Sequence, residues 1–326
     1  MTFLRLALFA ATSAVILPAS TSAQTVMQIN SSLPEGSFAH VFLQEYETRL
    51  EAAASGEIDV QIFMSNTLGK EEDVLQGLGF GTHHASLSAS AVAQVNNRTS
   101  IFDLPYLFED RAAVQVFADS PAGEMLADGF DGTGMVLAAM WDNGFRQITN
   151  NVRPIVTPAD LDGLKIRTPT NRQRVEMFNT LGANPTPLSF GEVYSALDQG
   201  TIDGQENPAN VVNTAKLFEV QQYMSLSNHV YLPTFIVIGE PFLASLSDEL
   251  RTTVLETAKG MAAWTFEWGA TTDTETIAAL RDHIEINEID FAAFQAAGAP
   301  LYDSPTFVDV IGVDMIEATK TALGIE

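Results

Sequence analysis

Apolar and polar residues repeat along this chain with two distinct periods. Val26 to Ser32 reads as a strand, and Phe38 to Ala54 as a helix whose apolar face carries Phe38, Val41, Phe42, Tyr46 and Leu50. Ser55-Gly56 ends that helix, and Ile58, Val60 and Ile62 then alternate with polar neighbours in a strand over Glu57 to Phe63. Strand, helix, strand is a βαβ opening, which implies an α/β fold with a parallel sheet. A helix from the Gly69 to Asp73 stretch to about Leu78 has acids in its first turn, and His84 to Ala89 is the next strand. An apolar loop from Asp103 to Phe108 precedes a helix from Arg111 to about Asp128, followed by a strand from Met135 to Met140 and a turn over Trp141 to Arg146.

The second half repeats this grammar. Thr157-Pro158-Ala159-Asp160 is a helix start with a capping hydroxyl and a proline at the first helical position. Leu164 to Arg167 is a strand, Arg172 to Leu181 a helix, and Ser189-Phe190-Gly191-Glu192 a capping box that opens a helix ending at Gln199-Gly200. A short strand ends near Asn207, a helix spans Ala209 to Val220, and Tyr231 to Ile238 is a strand. From Ser247 the helical pattern runs for about thirty residues without a proline, long enough at about 45 Å to lie across two domains. The stretch from Leu68 to Thr82 also echoes that from Pro187 to Thr201, at an offset of 119 residues, with Val74 matching Val193 and Leu78 matching Leu197. Two halves built alike point to two α/β lobes with a site between them.

The ends and the composition narrow the class. Residues 1–23 carry one early cation, Arg5, an apolar run from Leu6 to Leu17, and small residues at Thr21 and Ala23, the layout of a cleaved secretory signal peptide, which places the protein in the periplasm. The remaining chain has 15 cations against 41 acids and no cysteine, so neither disulfides nor thiolate metal sites contribute, and a strongly anionic surface excludes nucleic acid and anionic membranes as partners.

Against that charge balance, six cations (Arg146, Arg153, Lys165, Arg167, Arg172 and Arg174) crowd the 34 residues from Asp142 to Val175. Arg167 ends a strand just before a proline and a helix, at the crevice position where open α/β sheets bind ligands, and a guanidinium there grips a carboxylate with two parallel hydrogen bonds. Arg146, after a glycine turn, supplies a second charge; Asn207 an amide that both donates and accepts; Phe190, Trp141 and Tyr231, near predicted loop ends, pocket walls. His83 and His84 are adjacent in a strand, point to opposite faces and cannot share a metal; no dinucleotide fingerprint, nucleophile elbow, Walker or zinc-protease motif occurs. The expectation is a binding protein with neither enzymatic apparatus, cofactor nor metal.

Five segments carry a family resemblance: Asp103 to Phe108 (Asp-Leu-Pro-Tyr-Leu-Phe), Trp141 to Gln147 (Trp-Asp-Asn-Gly-Phe-Arg-Gln), Asp162 to Arg167, Gly182 to Tyr194 with Ala196-Leu197, and Gly200 to Pro208. In these the chain closely resembles the DctP-type solute-binding subunits of tripartite ATP-independent periplasmic (TRAP) transporters. The resemblance implies a type II-like, two-lobed periplasmic binding protein with an interlobe cleft, crossing hinge strands and one long helix along both lobes. It divides the chain into lobe I (24–144 plus 233–272) and lobe II (145–232 plus 273–326). It implies an organic acid clamped by Arg167, with Arg146 in support, an amide contact from Asn207 and a wall from Phe190, while Ser32 and Ser88 fall where members vary with ligand. The partners implied are the small and large membrane subunits of a cation-coupled permease. The alternatives are the binding protein of an ATP-driven importer and a periplasmic enzyme acting on an organic acid. Dicarboxylates, sugar acids, hydroxy or oxo acids, compatible solutes and sulfonates are all open as ligands.

Overall fold

The computed structural model describes residues 24–325. The expected signal peptide, residues 1–23, lies outside the described residues. In chain order the strands are β1 (Thr25–Asn30), β2 (Ile58–Phe63), β3 (Ala85–Ser88), β4 (Met135–Trp141), β5 (Arg146–Asn150), β6 (Lys165–Thr168), β7 (Asn184–Pro187), β8 (Gly204–Pro208), β9 (Tyr223–Leu226), β10 (Thr234–Gly239) and β11 (Glu285–Glu288).

They form two sheets, ordered β2-β1-β3-β10-β4 and β11-β9-β5-β8-β6-β7. In the first, β1 lies parallel to β2 and β3, while β10 runs antiparallel to β3 and β4. In the second, β6 lies parallel to β7 and β8, while β5 runs antiparallel to β8 and β9. Both sheets are therefore mixed rather than all-parallel, because each takes in a strand that has crossed from the other lobe. The orders superpose: β2-β1-β3-β10 answers β7-β6-β8-β5. This is the structural content of the 119-residue echo, whose helices, Glu71–Phe80 and Val193–Asp198, each lead from the edge strand of their parallel trio to β3 or β8.

Two extended crossings join the sheets, one between β4 and β5 and one leading into β10, besides the helical run that leads from β10 to β11. They run antiparallel to each other, bridged at Phe145 and Tyr231, with the Arg146 N–H donating to the Val230 carbonyl at 3.0 Å. Gly144, in the first crossing, sits at φ +107°, a conformation that glycine adopts most easily. The long helical run divides at Met261 into Asp248–Gly260 and Ala262–Leu280. Ser247 caps its start by accepting the Leu250 N–H at 3.2 Å, with Asp248 and Glu249 in the first turn and Lys259 in the last, each favourable to the helix dipole. The first half packs on the helix Phe38–Ala53 and on β4; the second touches both β4 and the helix Ala209–Thr214, so the run lies along both lobes.

Several elements differ from the expected ones. The helix expected over 111–128 breaks at Ser120-Pro121, where Ser120 caps a second helix, Pro121–Asp128. The capping box at Ser189 does not form: its hydroxyl turns across to Glu72, and a 3₁₀ turn, Phe190–Glu192, precedes the helix. The closing helices Pro305–Ile311 and Val313–Leu323, expected in lobe II, pack on the segment Asn97–Asp103 and on the helices Arg111–Ala118 and Pro121–Asp128, burying Phe307, Ile311 and Met315, while Pro305–Ile311 also touches the lobe II helix Arg172–Thr180. Each such buried side chain contributes about 1.5–3 kcal/mol, which outweighs proximity in sequence.

Candidate functional site

Arg167 stands on β6, flanked in register by Thr186 of β7 and Gln205 of β8, at the C-terminal end of the parallel trio. It is 3% exposed. Its Nε and Nη2 donate to the Leu188 carbonyl at 2.8 and 2.6 Å, which fixes the fork, and among the described residues no carboxylate lies within ion-pair distance. Burial pulls its pKa down to about 10, with the Glu206 carboxylate holding it up, so it stays charged at neutral pH. The Phe190 ring lies beside it, 6.0 Å from the guanidinium carbon to the ring centre.

Arg167 faces a cavity between the two sheets, with about 720 Å³ of atom-free space when its open mouth is counted. Lobe I contributes Ser31, Ser32, Asn66, Glu71 and Asn143 to its walls; lobe II contributes Arg146, Arg167, Phe190 and Asn207. Asn143 and Asn66 each present a buried side-chain oxygen with no hydrogen-bond partner. Asn207, on β8 opposite Gln147 of β5, is pinned by donating to the Gln205 side-chain oxygen at 2.5 Å.

The other cations nearby are already matched. Arg146 donates from Nε and Nη2 to both carboxylate oxygens of Glu206. Arg174 bridges Glu206 and Asp103, and His229 places Nε2 at 3.2 Å from Glu206. Burial would raise the Glu206 carboxyl, but Arg146 and Arg174 hold it far below the usual carboxylate range. Burial lowers His229, so its ring is neutral, with Nε2–H donating to Glu206 and Nδ1 accepting from Ser227 at 2.8 Å. Arg146 thus reaches the cavity wall as half of a buried ion pair, and Arg167 is the cation left for a guest.

Of the residues expected at the site, Arg167, Arg146, Asn207, Phe190 and Ser32 line the cavity; Trp141, Tyr231 and Ser88 do not. Trp141 is a core residue, wedged edge-on against Phe42 and Tyr46 with its indole N–H donating to the Ala258 carbonyl at 2.9 Å. Tyr231 is buried at the crossing, where its hydroxyl donates to Asp142. Ser88 sits behind the wall, 2.8 Å from the Ser86 hydroxyl. No pattern in the sequence marks Glu71 or Asn143 for the cavity, although Glu71 is the counterpart of Phe190 at the 119-residue offset.

Residues 29–307 match the family model for DctP, described as bacterial extracellular solute-binding protein, family 7. The 2,3-diketo-L-gulonate-binding periplasmic protein of Escherichia coli is 35% identical over 254 residues, 78% of this chain and 77% of that protein. Among solved structures, the sugar acid binding protein of Advenella mimigardefordensis in complex with galactonate aligns with a TM-score of 0.88 at 26% identity, over 92% of this chain and 98% of that one. A TRAP periplasmic solute binding protein of Sulfurospirillum deleyianum with bound succinate aligns with a TM-score of 0.86 at 28% identity, over 92% and 99%. With two mixed sheets, crossing connections and an arginine-floored cavity between them, this chain belongs to the DctP family of TRAP solute-binding proteins.

Proposed function

We propose that this protein captures a small organic acid in the periplasm by pairing the acid's carboxylate with Arg167, encloses it by lobe closure, and delivers it to a cation-coupled membrane permease. The observation that carries the reading is a buried, charged guanidinium with no carboxylate paired to it among the described residues, lining a cavity between two lobes. An uncompensated charge in such a place is costly, and a ligand carboxylate completes it with charge-assisted hydrogen bonds. With Nε and Nη2 engaged by Leu188, Nη1 is the guanidinium nitrogen left without a hydrogen-bond partner among the described residues, while Asn207 and the free oxygen of Asn143 add an amide donor and an acceptor.

Closure excludes water and raises the worth of the pair above that of a surface salt bridge. The relatives that carry named ligands support an acid as the guest, with a keto sugar acid, galactonate and succinate among them. The permease partner rests on family membership.

The test is a thermal-shift screen of the protein against organic acids, since a ligand that binds only the folded state raises the midpoint with concentration. At least one carboxylate is expected to stabilise the wild type, and Arg167→Ala to weaken that acid ~100-fold or more by calorimetry, in line with the loss of one partner of a buried charge pair. Undiminished binding by Arg167→Ala would overturn the assignment.

A further inference from the structure

We infer that Glu71 sets the chemistry of the ligand's far end, taking hydroxyl donors there and refusing a second carboxylate, so that this protein selects polyhydroxy monocarboxylic acids over dicarboxylic acids of the same length. This rests on the organic-acid reading above.

Three observations combine. First, the cavity holds a single guanidinium without a carboxylate among the described residues; Arg146 and Arg174 share Glu206 and Asp103. The one other cation on the wall, Lys70, is 3.4 Å from Glu192 at the rim. One anionic group is therefore matched inside, and a second finds no unpaired partner.

Second, Glu71 enters the cavity wall from lobe I at the start of its helix, where Phe190 enters from lobe II at the equivalent position of the echo. The aromatic lies beside Arg167, and the acid occupies the matching place in the other lobe. Third, the Glu71 carboxylate is built in rather than loose. Its Oε1 accepts the Ala89 N–H at 2.7 Å and its Oε2 accepts the Ser32 hydroxyl at 3.2 Å. An ionised carboxylate has about four acceptor positions, so capacity remains for donors from the ligand, and it has no proton to offer. A ligand hydroxyl fits that rule. A ligand carboxylate opposes a like charge in a partly desolvated cleft, which costs several kcal/mol in binding interfaces. Ser32 acts here through Glu71, as a positioning residue for it.

Burial, and then the neighbouring Glu72 charge, raise the Glu71 carboxyl above the ordinary value, against the hydrogen bonds from Ala89 and Ser32. Acidification therefore supplies the shared proton that would let a second carboxylate approach.

The test uses three matched pairs in calorimetry at pH 7.5: galactonate with galactarate, gluconate with glucarate, and 4-hydroxybutanoate with succinate. The wild type is expected to bind the best monoacid ~100-fold more tightly than its diacid. Glu71→Gln, which keeps the shape and removes the charge, should narrow that ratio at least ~10-fold. Circular dichroism checks folding of the variant, and Glu71→Ala provides a second one. A wild type that binds a diacid within threefold of its monoacid overturns the inference, as does a ratio that Glu71→Gln and Glu71→Ala leave unchanged. A wild type that binds the diacids tightly through Arg167 sinks the role of Glu71 and leaves the organic-acid reading standing; silence from all six acids, with no acid found in the wider screen, sinks both.

Discussion

Glu206 illustrates how a single side chain holds the lobe II wall in place. Its carboxylate takes both forks of Arg146, one nitrogen of Arg174 and the His229 ring, all of them buried. Glu206→Gln leaves two guanidinium groups buried with half the compensating charge, and should cost about 3–5 kcal/mol of stability in urea unfolding, as breaking a buried pair does. The pH dependence has a definite sign. Because the folded-state value lies far below the ordinary 4.5, the carboxylate's contribution is full above that value and drains away as pH falls beneath it. The stability gap between wild type and Glu206→Gln should be flat from pH 8 to about 5 and shrink at lower pH; a gap that is widest in acid would show that the ion pair is not its source. Glu71 has the opposite sign, since its raised value makes its charge a burden at neutral pH that acidification relieves.

At the scale of elements, the hinge depends on how closely the long helix approaches the first crossing. Asp142, beside Gly144, accepts two hydrogen bonds from Arg111, which also reaches Asp273 on the helix Ala262–Leu280. That helix comes close enough only because residue 269 is glycine: a Cβ there would overlap the Asp142 carboxylate. Gly260, in the same helical run, has open space around its missing Cβ. Gly269→Ala should therefore lower stability by about 1–3 kcal/mol through overpacking, whereas Gly260→Ala should raise it by about 0.5–1 kcal/mol through helix propensity. Equal midpoints for the two variants in thermal unfolding would remove the close approach as an explanation. The same contrast between local and distant causes explains which parts of the fold were legible in the sequence. Arg167 and Asn207 could be read because strand, charge or amide, and following proline lie within a few consecutive residues. β7 could not: Asn-Pro-Thr-Pro reads as a turn, and its prolines are tolerated only because β7 is an edge strand. Glu71 had a sufficient local explanation as a first-turn acid, and its role depends on Ser32 and Ala89, 39 and 18 residues away. Trp141 and Tyr231 looked like pocket walls because they flank turns, but packing against Phe42, Tyr46 and Phe266 claims them for the core.

Across the whole molecule, the two lobes meet at the mouth of the cavity through a small set of polar contacts. Glu72, next to the selecting acid, accepts hydroxyl hydrogen bonds from Thr170 at 2.8 Å and Ser189 at 3.3 Å, both from lobe II, and Gln94 donates to Thr170 at 3.0 Å. Glu71 and Glu72 both line the cavity from one helix start, and Glu72 also bridges to lobe II as a latch, so that ligand recognition and closure share one turn of chain. A hydrogen bond to a charged acceptor contributes about 1.5–3 kcal/mol, less where water competes, as it does at this rim. If these contacts hold the closed arrangement, Glu72→Ala lowers the fraction of closed molecules, and apparent affinity falls in proportion to that fraction. The expected loss is about 5–30-fold in calorimetry. In X-ray scattering the ligand-free variant should have a larger radius of gyration than the ligand-free wild type, and saturating ligand should bring both to the same compact value. Thr170→Ala and Ser189→Ala should weaken binding in the wild type yet add little to Glu72→Ala, since the three side chains form one network. Additive losses would mean that the hydroxyls act on the ligand itself and that closure is held elsewhere.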